Sequence, residues 1–454
     1  MGRILIRECL QKIGKEVELA GFVQTVRAHG KIAFFDLRDR SGIIQVVSSD
    51  STIVSQIAGL HTEDVVTVAG LVKKREERYI NKNSPTGTIE LELKMLSTIT
   101  KSAEMPFDMA GKELNLELPT LLDYRTLTLR HQKITPIFKI QAAIVDSFRE
   151  VSKQLECTEV FVPTIAPSST EGGAEVFLID YYGHKAFLAQ SPQLYKQMMV
   201  PIFERVYTIA HAYRAEPSVT TRHLAEVTQL DCEFGFVNFE ELLDLLEKVG
   251  RETLLGAQEK TKDIFEQENL EPIVIGEKIP RLTLREAHEL VYKLTGKDNR
   301  EQLDLTPQEE IDISEWAKKE QGSDLVTITH FPTKKRAFYT MPDPSDSSIS
   351  LSYDILFRGV EIASGSARIN NYQKLVEAIK EKGLDSKNFS MYLMAFKYGM
   401  PPEGGFSFGL ERMTQKIMGL LNIRQASLFP RDMERVDERF SLSDAQKNHP
   451  TTKQ

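Results

Sequence analysis

Cysteine is scarce: Cys9, Cys157 and Cys232 are the only three in 454 residues, too few and too scattered for a disulfide framework or a zinc knuckle. A reducing cytoplasm is the expected compartment. Long hydrophobic runs are missing too, since no stretch of eighteen apolar residues occurs and the opening MGRILIRECL has no signal-peptide apolar segment or cleavage site. Neither export nor membrane contact is expected, and Ile6 stands where a myristoylation signal needs Ser or Thr. A basic excess is absent as well: 57 Lys and Arg against 65 Asp and Glu leave a net charge of -8. That argues against non-specific coating of nucleic acid and confines any RNA contact to a local patch. Without an internal repeat or low-complexity tract, solenoids and arrays are set aside.

What is present is a globular composition, 41% hydrophobic and 27% charged, in a chain too long for one ordinary core. Short alternating segments at Val17 to Val23, Ile32 to Leu37, Ile43 to Val47, Val65 to Val72 and Ile89 to Met95 predict five strands, with a helical patch near Thr52 to Leu60. This pattern suggests a small closed barrel of the OB type over residues 1–101. One of the adjacent Phe34 and Phe35 must point outward, and beside Arg38 and Arg40 it offers a base-stacking platform; a barrel without a ligand is the plainer alternative.

Residues 102–133 are polar, broken by Pro106, Gly111 and Pro119, and read as a hinge. Residues 134–454 then form a second domain. It opens with an amphipathic helix over Ile134 to Gln154 and a strand, Val160 to Pro163. Ser191 and Pro192 start a helix that puts Gln193 and Lys196 on one face. A long helix is expected over Phe239 to Asn269 and an α-rich insert over about 271–322. Strands are expected at Leu325 to Ile328, Ala337 to Met341 and Ser350 to Phe357, and Phe406 to Gly419 turns from strand to helix.

The most informative stretch is Val206 to Phe236, two alternating runs joined by a polar loop carrying Arg214, Glu216, Arg222 and His223. Arginines beside an acid and a histidine suit a polyanion such as a nucleoside triphosphate, although on spacing alone a charged surface hairpin is the plainer reading. The string Tyr213-Arg214-Ala215-Glu216-Pro217, with Thr221-Arg222-His223-Leu224 and Asp231-Cys232-Glu233-Phe234, resembles motif 2 of class II aminoacyl-tRNA synthetases of the aspartate and asparagine branch. Gly404 to Arg412, GGFSFGLER, resembles motif 3, and Phe161-Val162-Pro163 after its helix resembles motif 1. The resemblance runs from about Glu16 to Arg431.

It implies an α+β fold: an OB barrel for the anticodon and a catalytic domain with an antiparallel sheet flanked by helices, dimerising through motif 1. It also implies activation of L-aspartate by ATP and transfer to tRNA(Asp). By resemblance, Arg214 and Arg412 are catalytic. Aspartate is held by Glu171, Gln193, Lys196, Arg214, Ser364 and Arg368, and ATP by Arg214, Glu216, Arg222, His223, Leu224, Glu361, Gly409 and Arg412. Glu361 and Ser364 offer oxygen ligands suited to Mg²⁺ bridging phosphates. The anticodon is read by Arg27, His29, Phe34, Gln45 and Pro85. Two cations, Lys196 and Arg368, favour a side-chain carboxylate over an amide. The chain departs from the family at Ala367, where Gln is expected, and at Asn370 and Asn371, where a His-Asp pair is common. The loop Ala28-His29-Gly30-Lys31 and Pro85 resemble the relaxed archaeal-type aspartyl enzymes that also accept tRNA(Asn). An asparaginyl enzyme, a free amino-acid ligase and a regulatory paralogue remain the alternatives.

Overall fold

The computed structural model describes residues 2–440 except 83, 169–174 and 217–219. It divides into two compact units, residues 1–121 with 130–133, and residues 122–129 with 134–454. Among the described residues no helix is long and apolar enough to cross a membrane. All three cysteines are buried free thiols.

In the first unit, Glu16–His29 (β1), Ile32–Asp39 (β2), Gly42–Ser48 (β3), Val65–Lys74 (β4) and Ile89–Thr100 (β5) close in the order β1-β2-β3-β5-β4. Alternation decides which side chains enter the barrel: Ala33, Phe35 and Leu37 of β2 and Ile44 and Val46 of β3 are buried, and Phe34 and Gln45 face outward. Helix Ser51–Ala58, capped by Asp50 on the Thr52 and Ile53 amides, covers part of the core through Ile57.

The second unit is built on Thr158–Glu159 (β6), Ile165–Ala166 (β7), Leu178–Tyr181 (β8), His184–Leu188 (β9), Arg205–Tyr213 (β10), Glu226–Gly235 (β11), Arg281–Thr283 (β12), Leu325–Thr329 (β13), Ser352–Phe357 (β14), Val360–Ala367 (β15) and Glu403–Gly409 (β16). Eight of these form one sheet in the order β12-β13-β14-β15-β16-β11-β10-β6, antiparallel through its middle and parallel at both edges. Strands β7, β9 and β8 form a small separate sheet.

The large sheet has two unlike faces. Tyr353, Ile355 and Phe357, Phe406 and Phe408, and Leu230, Cys232 and Phe234 share one core with helices Thr135–Gln154 and Phe239–Lys260. The intervening residues put a polar row on the other face, where the register aligns Asp354 with Ser364, Ser364 with Ser407, and Ser407 with Asp231.

Several elements differ from the expectation. The segment Val160 to Pro163 is not a strand; β6 ends at Glu159, since Pro163 has no amide to donate and Phe161 stands 87% exposed. Ala337 to Met341 makes only an isolated bridge, Thr340 to Arg368, after a short 3-10 turn. The long helix breaks at Thr261 into Phe239–Lys260 and Lys262–Glu268. Residues 271–322 are not a purely helical insert: β12 joins the sheet edge before helices Leu284–Thr295 and Pro307–Gln321.

Candidate active site

Helix Gln193–Phe203 lies against β10 and β11 and delivers Lys196 to the polar face of the sheet. It starts one residue later than the sequence suggests, because Pro192 instead of Ser191 occupies the cap position, while Ser191 Oγ accepts from the Gln193 amide at 3.3 Å. Lys196 is 1% exposed and donates to Asp231 Oδ1 at 2.6 Å and the Phe406 carbonyl at 3.2 Å, with Glu233 Oε2 at 3.1 Å. A buried ammonium survives only when paired. Burial pulls its pKa down, but the Asp231 and Glu233 carboxylates more than restore it, so Lys196 stays charged.

Arg368 follows β15 and completes this cluster. Its Nε donates to Glu233 Oε1 at 2.7 Å, Nη1 to Ser366 Oγ at 2.8 Å, and Nη2 to Gln193 Oε1 at 3.2 Å and the Gly405 carbonyl at 2.9 Å. Gly405 makes room: a Cβ there would lie 2.1 Å from Glu233 Oε2. Burial opposes ionisation of Glu233, yet Arg368 and Lys196 hold it at about 2. Glu403, accepting from Gln197 Nε2 at 2.7 Å, is pushed well above the ordinary carboxylate range by burial and by the Glu233 charge. Two cations therefore meet two carboxylates, and every Lys196 proton already has an internal partner. The expected cations are present, but they do not face an empty pocket as a free double positive charge. Gln193 Nε2 is buried with no partner among the described residues, which leaves one donor for an incoming acceptor.

At the opposite end of the polar row, Arg336 joins Asp354 Oδ2 at 2.7 Å to Ser364 Oγ at 3.1 Å. Glu361 is raised to about 7, first by burial and then by the Asp354 charge, which Arg412 and Arg336 oppose. Arg412, in the first turn of helix Leu410–Met418 after Gly409, donates to the Glu361 carbonyl at 2.8 Å and lies 3.6 Å from its Oε1. Asp354 Oδ1 is buried without a partner among the described residues. Hard oxygens of Asp354, Glu361 and Ser364, one of them unsatisfied, fit a Mg²⁺ that keeps water and phosphate ligands. No group of three or more His, Cys, Asp or Glu among the described residues could hold a metal ion without such help.

The hairpin β10–β11 supplies the charged rim. Its strands pair from Arg205 with Phe234 to Tyr213 with Glu226. Glu411 holds β11 by accepting the Thr228 amide at 3.0 Å, and burial raises its carboxyl to about 7. Arg214 is exposed and makes no ion pair with a described residue. Arg222 meets Glu310 at 2.8 Å, and His223 lies 3.5 Å from Glu216 and 2.5 Å from Thr220 Oγ1. Leu224 is buried beside them. Glu171 and Pro217 lie outside the described residues.

On the barrel, Arg27 pairs in register with Phe34, and Gln45 with Asp36, so Arg27, Phe34, Asp36 and Gln45 share the outer face; Arg27 contacts Asp36 at 3.0 Å. Pro85 is exposed in the loop before β5, where Thr86 Oγ1 donates to the Ile43 carbonyl of β3. His29 closes β1, and its side chain lies outside the description.

Sequence reasoning gave no role to Asp231, Glu233, Glu403, Asp354, Arg336 or Glu310. For the first two the signal was there, two carboxylates alternating with Leu230, Cys232 and Phe234 in the apolar second half of β11, each needing a buried partner. Asn371, where the family pattern departs, caps helix Tyr372–Glu381 by accepting the Lys374 amide at 3.1 Å.

The large sheet thus carries a charge-compensated cluster at one end of its polar face and an arginine-rich rim at the other, an arrangement suited to a small zwitterion beside a polyanion. Residues 117–433 match the family of tRNA synthetases class II (D, K and N), and residues 17–98 match the OB-fold nucleic acid binding domain. The chain belongs to this class II tRNA synthetase family and is an aminoacyl-tRNA synthetase. It is 40% identical to the aspartate--tRNA(Asp/Asn) ligase of Thermus thermophilus over 96% of this chain and 99% of that one. It is 36% identical to the aspartate--tRNA(Asp) ligase of Pyrococcus horikoshii over 93% and 96%. Among solved structures, asparaginyl-tRNA synthetase from Pyrococcus horikoshii complexed with asparaginyl-adenylate superposes with TM-score 0.85 at 30% identity, covering 96% and 99%.

Proposed function

We propose that this synthetase is an aspartate--tRNA ligase that activates L-aspartate with ATP and transfers it to tRNA(Asp) and tRNA(Asn) in the cytoplasm. One observation carries the choice of amino acid: Lys196 and Arg368 sit together on the polar sheet face, bound to Glu233 and Asp231. The side-chain carboxylate of aspartate would join this network opposite the two cations, with Gln193 Nε2 as a further donor and Glu171 and Ser364 contributing. A carboxylate accepts more strongly from these charged donors than the neutral amide of asparagine does.

The chemistry is attack of the α-carboxylate on the α-phosphorus of ATP, with loss of pyrophosphate. No enzyme nucleophile is needed, so the chain contributes positioning and charge neutralisation. Arg214 would bridge the carboxylate and α-phosphate. Arg222 and His223 would take the outer phosphates, with Glu216 and Leu224 shaping the rim, while Arg412, at the helix that starts after Gly409, would face the γ-phosphate or the adenine. A Mg²⁺ held by Glu361, Ser364 and Asp354 would neutralise phosphate charge. Phe34 would stack on an anticodon base, with Arg27, His29, Gln45 and Pro85 around it. A second copy would pair through the exposed Phe161 after helix Thr135–Gln154.

An asparagine ligase is the second reading, favoured by the compensated charge of the cluster and by likeness to an asparaginyl enzyme. Aminoacylation with labelled aspartate and asparagine on tRNA(Asp) and tRNA(Asn) transcripts tests both. Aspartate on both tRNAs is expected. Aspartate on tRNA(Asp) alone would reduce His29 and Pro85 to turn residues, and asparagine charging would overturn the reading.

A further inference from the structure

Helix Pro307–Gln321 belongs to the stretch whose use the sequence left open, and its first turn is held by more than its own backbone. Thr306 caps it by accepting the Glu309 amide, Glu309 accepts the Thr306 amide at 2.8 Å, and the same carboxylate meets His288 Nδ1 at 2.9 Å. Both His288 and Glu309 are buried. Ile311 then packs on the turn between β14 and β15: a Cβ added to Gly359, whose φ is +82°, would lie 3.0 Å from Ile311 Cγ1.

This places Glu310 over the rim. Arg222 Nη1 donates to Glu310 Oε2 at 2.8 Å and Nη2 to the Gly359 carbonyl at 3.4 Å, so one edge of the guanidinium is gripped by two elements from outside its own hairpin. We propose that Glu310 is a positioning residue for ATP, fixing Arg222 so that its remaining N–H groups meet the outer phosphates, and that this is what residues 271–322 contribute to the reaction. The inference rests on the ligase reading, in which Arg222 takes those phosphates.

A side chain already fixed has little rotamer freedom left to lose when the ligand arrives, which lowers the cost of binding. Arg412 and Lys416 face the same carboxylate, so Glu310 also offsets cationic repulsion in the rim before ATP arrives. Loss of the carboxylate should weaken ATP without touching aspartate.

The test is aspartate-dependent ATP–pyrophosphate exchange with the full chain. Glu310→Ala should raise KM for ATP roughly three- to tenfold, with kcat and KM for aspartate little changed. Glu310→Gln, which keeps an acceptor oxygen for Arg222, should recover most of that loss. Adding Glu310→Ala to Arg222→Ala should cost no more than Arg222→Ala alone. An unchanged KM for ATP in Glu310→Ala, losses that add in the double variant, or a fall in melting temperature with both KM values intact would each overturn the inference. No exchange by the wild-type protein would instead overturn the ligase reading, and this inference with it.

Discussion

The two ends of the polar sheet face handle positive charge in opposite ways. Around Lys196 and Arg368 every cation is matched by a carboxylate within about hydrogen-bond distance, and nothing there is exposed beyond a few per cent. Around Arg214, Arg222 and Arg412 the cations are half-exposed or open, and Arg214 has no ionic partner among the described residues. A pocket for a small zwitterion must be built before the ligand arrives, because a buried ion cannot wait unpaired. A site for a polyanion can leave Arg214 in water and hold Arg222 and Arg412 by part of their guanidinium groups until the phosphates come.

Breaking the first end should therefore damage fold and function together. Lys196→Leu is expected to abolish aspartate activation and to lower stability by about 3–5 kcal/mol, because Asp231 and Glu233 would lose a buried partner. Urea unfolding alongside pyrophosphate exchange measures both; wild-type stability would contradict the charge-matched cluster.

Breaking the second end should damage function alone. Arg214→Ala is expected to lower kcat for exchange about 10²- to 10³-fold while shifting stability by less than about 0.5 kcal/mol. Equal losses of stability in this variant and Lys196→Leu would erase the distinction between the ends.

Geometry without charge sharpens it. Gly405→Ala would press a methyl group on Glu233 and displace Arg368, which should cost about 10²-fold in kcat/KM for aspartate with KM for ATP nearly unchanged. A parallel rise in both KM values would show that the two ends are not separable.

Smaller effects are expected away from both ends. Phe34→Ala should raise KM for tRNA about tenfold, the scale of one lost stack, and leave exchange untouched. The last is a pH effect at Glu411, which braces β11 beneath the rim. Its pKa is raised to about 7 by burial, so the folded state favours the protonated form. That contribution is full below the unfolded value near 4.5 and is lost as pH rises through 7. Glu411→Gln cannot ionise, and its melting temperature should gain on wild type between pH 5 and 8; parallel curves would remove this role.

Much of this was legible in the sequence where local pattern and global need agree. Alternation in β2, and in β5 as far as Leu93, shows which side chains enter the barrel, while Met95, expected inside, is 68% exposed beyond a break in the β4–β5 register. Arg214 and Arg412 stand in motifs 2 and 3, and Gln193, Lys196, Glu361 and Arg368 were singled out by resemblance position by position. What was not legible depends on partners distant in the chain. Glu310 meets Arg222 across 88 residues and Glu233 meets Arg368 across 135, separations at which no periodicity operates. Ala337 to Met341 alternates like a strand, yet Phe338 and Tyr339 pack into the cluster around Phe389 and Tyr392 instead of pairing in the sheet. The short β6 illustrates the same limit, since apolar residues before a proline can as well await a second chain as enter a sheet.

The most direct measurement is ATP–pyrophosphate exchange by the purified chain with aspartate and with asparagine, at equal concentrations and in the presence of Mg²⁺. Exchange that depends on aspartate and is undetectable with asparagine is the predicted result. Exchange driven by asparagine would contradict it, and would mean that the matched charges around Lys196 and Arg368 form a neutral pocket for an amide.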